Sequence, residues 1–193
     1  MKTTALVTGL FFAIMLTSAA CGGGRVGRVA TPAATPGVIV IGGTFNKFGW
    51  SIAVPASEKV IEKGLGADKP DDSRGTIEWG DAFKGGLVKV LWLAGSNRDN
   101  YNISAGLESI ASSYVQDPVV GISNISAIKR EVVNGLDVDY KTYEMNYFNS
   151  PLQGVTTAHQ CSGPDKLIFI NVIASKSPLE KADVLLTGFK CGL

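Results

Sequence analysis

The stretch Leu167–Ala174, LIFINVIA, is rich in Ile and Val and holds one polar residue, Asn171. Such a run reads as a strand buried on both faces, hence central in a sheet. Ser177-Pro178-Leu179-Glu180 follows it. A Ser cap, Pro at the first helical position and Glu at the third form a capping-box signature. Leu179, Ala182, Leu185, Leu186 and Phe189 then fall on one stripe. That stripe has to be buried, so the chain is expected to end in a helix laid across an antiparallel sheet. A meander precedes it. Ile128–Val133 leads into Asn134-Gly135, a strong hairpin signal. Leu136–Phe148 turns at Asn149-Ser150-Pro151, and Leu152–Cys161 turns at 162–165. Within Leu136–Phe148 the apolar alternation begins on Leu136, Val138 and Tyr140 and shifts to Tyr143, Met145 and Tyr147. That change of phase predicts a bulge near Lys141–Thr142.

The first half is less regular. Val38–Ile41 reads as a strand ended by Gly42-Gly43, and Trp50, Ile52 and Val54 as one face of a strand stopped by Pro55. Residues 56–74 read as a loop with a short helical piece, SEKVIEKGL. Gly75–Gly80 and Leu87–Leu93 look like paired strands. Asn102–Gln116 carries a helical stripe of Ile103, Leu107, Ile110, Ala111 and Tyr114, with Asn102 or Ser104 as cap. The expected class is α+β, an antiparallel sheet packed by helices, in a single domain over 38–193.

The N-terminus belongs to a different kind of segment. After Lys2 no charge occurs until Arg25, and Ala5–Leu16 is an apolar run too short to span a bilayer. Thr17-Ser18-Ala19-Ala20-Cys21 follows. These residues resemble a bacterial lipoprotein signal. The resemblance implies a signal peptide over 1–20, an acylated thioether on Cys21, and a mature chain that begins there. Ser18-x-Ala20 also fits an ordinary cleavage site, which leaves plain secretion open, and an uncleaved anchor is a third reading. Residues 21–37, rich in Gly, Pro, Ala and Thr, are expected to act as a flexible tether. The expected location is the bacterial cell envelope, outside the cytoplasm and anchored to the membrane.

The chain has three cysteines. If Cys21 carries lipid, Cys161 and Cys191 remain as an even pair that an oxidising compartment lets bond. The C-terminal helix has to run back along strand 167–174. The strand covers roughly 25 Å at 3.3 Å per residue and the helix returns roughly 18 Å at 1.5 Å per residue. That brings Cys191 towards the 162–165 turn beside Cys161. Two buried free thiols are the alternative.

The order of elements, with the entry strand Trp50–Pro55 and the closing helix Leu185–Phe189, resembles the PsbP/Mog1/DcrB-like group. LpqN-type lipoproteins of that kind join such a domain to an acylated cysteine. The resemblance covers about 44–191. It implies an antiparallel sheet between helices and a role in binding partners or assisting complexes instead of catalysis.

Few residues offer chemistry. His159, the one histidine, shares a strand face with Cys161, which raises a Cys–His pair or a zinc site with Cys191; a surface or half-buried histidine is the plainer reading. Asp137 and Asp139 read as a solvated strand face, with a weak calcium site as the alternative. No phosphate-binding glycine pattern or nucleophile elbow occurs. The chain carries 18 Lys plus Arg against 17 Asp plus Glu. Loss of the leader removes Lys2 and no acid, so the mature balance is zero and nucleic acid is not an expected partner. Tyr143 and Tyr147 are read as an outward patch for a partner, or else as cover beneath a helix. No metal or cofactor is expected. The functional expectation is a lipid-anchored accessory or binding protein without catalytic activity. Its partners would be the membrane through Cys21 and an envelope protein. A carrier of a small apolar ligand in a pocket between sheet and helix is one alternative, an enzyme with a carboxylate site the other.

Overall fold

Every side chain of Lys166–Ala174 (β9) is buried, as the LIFINVIA pattern requires of a strand covered on both faces. Around it the computed structural model builds an antiparallel sheet; it describes residues 39–65, 69–94, 103–113, 120–133 and 135–192. In chain order come β1 (Ile39–Lys47), β2 (Trp50–Lys63), β3 (Arg74–Asp81), β4 (Gly86–Ala94), α1 (Ile103–Ser113), β5 (Val120–Ser123), β6 (Lys129–Val133), β7 (Leu136–Tyr147), β8 (Ser150–Cys161), β9, α2 (Pro178–Thr187) and β10 (Lys190–Cys191). The spatial order is β1-β2-β3-β4-β9-β8-β7-β5, with β10 on β2 and β6 on β7. The signal-peptide and tether segments, Cys21 with them, lie outside the described residues, as does Asn102.

The two faces of β9 serve two cores. Ile168, Ile170 and Val172 join Val88, Val90, Trp92, Val138 and Tyr140, and α2 closes that face with Ala182 and Leu186. Leu167 and Phe169 join Leu93 and Ala158, and α1 closes the other face with Leu107. A side chain on Gly106 would collide with the Phe169 ring, so the glycine sets how near α1 comes to the sheet. The fold is thus α+β, dominated by sheet, with a helix on each face.

This layering corrects the expected bulge. β7 pairs with β8 in unbroken register from Asp139↔Ala158 to Tyr147↔Ser150. Burial changes phase because Val138 and Tyr140 lie in the core under α2, whereas Tyr143 and Met145 lie on the other face. The irregularity sits on the far side of β7, where residues 124–128 interrupt the edge between β5 and β6.

Residues 56–63 are also not helical. Pro55 does not end β2, because residues 55–58 lie opposite the break in β1 between Ile41 and Gly43. Val60 and Glu62 then point inward in strand alternation. The two halves of β2 serve different neighbours. Residues 61–63 pair with β3, whereas Trp50 and Ser51 pair with β10. A straight strand would carry Trp50 roughly 40 Å from Lys63. Yet the Trp50 ring lies 5.6 Å from that of Trp92, whose partner Gly75 is next to Thr76, the partner of Lys63. β2 therefore folds back at Pro55–Glu58, and its first half covers the core beside α2.

The helix α2 starts where expected, but not through a capping box. Ser177 adopts a left-handed conformation (φ 46°) and makes no side-chain cap.

Candidate functional site

The fold-back of β2 leaves a gap. Pro55 and Glu58 at the bend, Trp79 and Val88 on β3 and β4, and Val184 and Leu185 on α2 border an open cleft of about 700 Å³. Its walls are largely apolar. Its rim is charged through Glu58, Asp81, Lys84, Glu180 and Lys181. Lys84 Nζ lies 4.0 Å from the Asp81 carboxylate. α2 presents Ala182 and Leu186 to the sheet, so Val184, 72% exposed, is left on the open flank. A volume of this size suits a small molecule or a docked side-chain cluster.

The same end of the sheet carries aromatic residues. The structure does not make Tyr143 and Tyr147 an outward pair. Tyr143 is 2% exposed, packs over Gly154, and donates its hydroxyl to Asn171 Oδ1 at 2.7 Å. It is therefore not available to a partner. Tyr147 is half-buried, with its ring 6.0 Å from Phe83 and 4.7 Å, edge-on, from Phe148. Those neighbours are the exposed members, Phe83 at 50% and Phe148 at 65%. The sequence reading carried the strand through Phe148 instead of placing it in the turn, and passed over Phe83, because a single aromatic in a turn has no periodicity.

Phe148 and Asn149 form the two-residue turn between Tyr147 and Ser150, with φ of 46° and 62°. Positive φ at both positions is the geometry that matches hairpin twist. Phe48-Gly49 makes the same kind of turn between Lys47 and Trp50, with φ of 57° and 76°. A bulky residue is strained there. For Phe48 the compensation is visible, since its ring stacks on Trp92 at 4.7 Å. Phe148 has no such burial.

Elsewhere the candidates for chemistry resolve into structural roles. Cys161 and Cys191 form a disulfide, Cα atoms 5.2 Å apart, so neither thiolate remains for a nucleophile or for zinc. His159 is 2% exposed, which corrects its reading as a surface or half-buried residue. Its Nε2 is 3.2 Å from Thr157 Oγ1 and its ring stacks on Phe189. Burial lowers its pKa to about 4, so it is neutral. Arg130 clasps Asp139 through two hydrogen bonds of 2.7 and 2.9 Å, which hold that carboxyl below its ordinary range. Asp137 is exposed. Among the described residues no group of three or more His, Cys, Asp or Glu is placed to hold a metal.

Titratable groups with raised values gather between β6, β7 and α2. The Tyr140 hydroxyl donates to Glu131 at 2.7 Å and is pushed up to about 12 by that bond and by burial. Asp183 is raised by burial and then by Glu131 and Glu180. No nucleophile stands beside Tyr140 and Asp183 among the described residues.

No protein-family model and no curated protein matches the chain. Solved structures do. The solution structure of cyanobacterial PsbP (CyanoP) from Synechocystis sp. PCC 6803 aligns with TM-score 0.51 and 11% identity, over 90% of this chain and 98% of that one. LpqN of Mycobacterium tuberculosis, described as involved in cell envelope biogenesis, gives TM-score 0.38 and 9% identity over 85% and 88%. A crystal structure from Bacteroides thetaiotaomicron VPI-5482 gives TM-score 0.48 and 9% identity over 80% of this chain, which spans 50% of that one. The first of these establishes the PsbP-like fold.

Proposed function

We propose that this protein is an extracytoplasmic accessory protein without catalytic activity, held at the membrane by a lipid on Cys21, that binds a partner through the cleft beside α2. The cleft carries the reading: about 700 Å³, apolar inside and charged at the rim, bounded by elements that a bent strand holds apart. The cysteine pairing supports the anchor. Of three cysteines two are bonded to each other, so Cys21 is the one left over for modification. The PsbP-like fold is compatible with this reading but is a weak warrant for function on its own. A photoreactive residue at Val184 is expected to give discrete protein adducts in cells, whereas one at exposed Asp137 gives none. Equal adducts at both positions, or none at Val184, would sink the proposal.

A second reading, a carrier of a small apolar ligand, is favoured by the cleft volume, which falls in the range of small-molecule sites. Native mass spectrometry after gentle extraction separates the two. A bound compound lost on Val184→Glu decides for the carrier.

A further inference from the structure

Residues 188–192 form a strap against β2 and β8. Gly188 ends α2, β10 pairs with Trp50 and Ser51, and the Gly192 N–H donates to the Gly49 carbonyl at 2.9 Å. The buried Phe189 ring stacks on His159 at 5.4 Å and on Trp50 at 6.2 Å. Both of those rings carry an unsatisfied atom: Trp50 Nε1 and His159 Nδ1 are buried without a hydrogen-bond partner among the described residues. The Thr157 hydroxyl donates to the Ile170 carbonyl at 3.3 Å, so its oxygen accepts from His159 Nε2 at 3.2 Å. In the neutral ring Nδ1 is then a bare acceptor, and Trp50 Nε1–H is a bare donor. Two unpaired polar atoms oppose closure of the strap, whereas burial of the Phe189 ring favours it. β10 adds two ladder pairs and no more. The remaining tie is the bond from Cys191 to Cys161. Cys161 is 0% exposed and Cys191 is partly exposed, so a thiol approaches that bond from the Cys191 side.

We propose that the Cys161–Cys191 bond is a redox latch, whose reduction by an external dithiol releases residues 188–192 while the sheet stays folded. The attacking thiolate bonds to Cys191 Sγ, the Sγ–Sγ bond breaks, and its electron pair stays on Cys161, which takes a proton from water. The second sulfur of the dithiol then displaces Cys191, which is protonated in turn, and the dithiol leaves as its own disulfide. The protein has gained two electrons and two protons. The released strap lets water bond to Trp50 Nε1 and His159 Nδ1. It also unties the end of α2 from β2, where a side chain on Gly188 would crowd Ala53. Pro55 of β2 and Leu185 of α2 are walls of the cleft, so the latch fixes its width. That last consequence, unlike the latch itself, rests on the reading of the cleft as a binding site.

Hydrogen exchange in the full chain, oxidised and then reduced with dithiothreitol until both thiols are free, tests the latch. The Gly192 amide and the Trp50 indole N–H are expected to be protected in the oxidised protein and to exchange at least about tenfold faster after reduction. The Trp92 indole N–H, bonded to the Asp71 carbonyl at 2.8 Å, should keep its rate, because the sheet persists. With glutathione in place of dithiothreitol, the mixed disulfide should map to Cys191. Reduced His159→Leu, with one unsatisfied atom fewer, should regain part of the Gly192 protection. Protection of Gly192 and Trp50 that survives reduction overturns the proposal. So does Trp92 exchange that rises with theirs, which would mean unfolding of the whole sheet. Glutathione on Cys161, or a His159→Leu strap no better protected, overturns it as well. Partner binding in the cleft is decided separately by the adducts at Val184, which exchange does not use.

Discussion

Two phenylalanines in the same turn geometry make opposite predictions. Phe148→Asn relieves a left-handed aromatic whose ring is mostly in solvent, and should raise unfolding free energy by about 1 kcal/mol. Phe48→Asn relieves the same backbone but removes a ring stacked on Trp92, and should lower stability by about 2 kcal/mol. Urea unfolding of both variants checks the signs; a shared sign would mean that turn geometry outweighs ring packing. His159 offers a second residue-scale test. Unfolded, it titrates near 6.5; burial brings it to about 4 in the fold. Protonation therefore favours the unfolded chain. Stability is full above pH 6.5, falls by about 3 kcal/mol as pH drops to 4, and gains no further dependence on this group below that. His159→Leu should remove that part of the slope between pH 6.5 and 4, measured by unfolding midpoints. An unchanged slope would show that the histidine already charges inside the fold.

At the scale of elements, what was legible was what local pattern decides. β9 and the stripe of α2 follow from apolar runs and turn residues, and so does the β6–β7 hairpin, whose Val133 pairs with Leu136 across a two-residue connection. β2 was illegible past Pro55, because Glu58, Lys59 and Lys63 face outward or pair across strands, and only the neighbours β1 and β3 make them a strand. The bulge expected in β7 failed for a similar reason. Alternation in sequence records which face is covered: Val138 and Tyr140 lie in the core that α2 closes, whereas Tyr143 and Met145 pack on the other face with Leu152 and Ile173. Cys161 and Cys191 were reachable by strand and helix lengths, whereas the cleft depends on the fold-back of β2, which no periodicity encodes. The disulfide has its own prediction. It spans 30 residues of sequence and ties β10, which pairs with β2, to the end of β8. Reduction should therefore lower stability by roughly 3–4 kcal/mol in the chain-entropy model. Denaturation with and without reductant measures this; coincident curves would mean that the packing of Phe189 and α2 is enough.

At the scale of the whole molecule, the ends of the sheet are built differently. At one end sit the Cys161–Cys191 bond and the buried Lys166, which reaches both the Phe48 carbonyl and the Asp72 carboxylate. Trp92 adds a bond from its indole N–H to the Asp71 carbonyl at 2.8 Å. No disulfide or buried lysine joins the turns of the other end among the described residues. The protein is thus clamped at one extremity and free at the other, as a cantilever is. Its fluctuations should grow with distance from the clamp. Amide hydrogens of β9 near Leu167 should outlast those near Ala174 in exchange with deuterium, although both residues are equally buried.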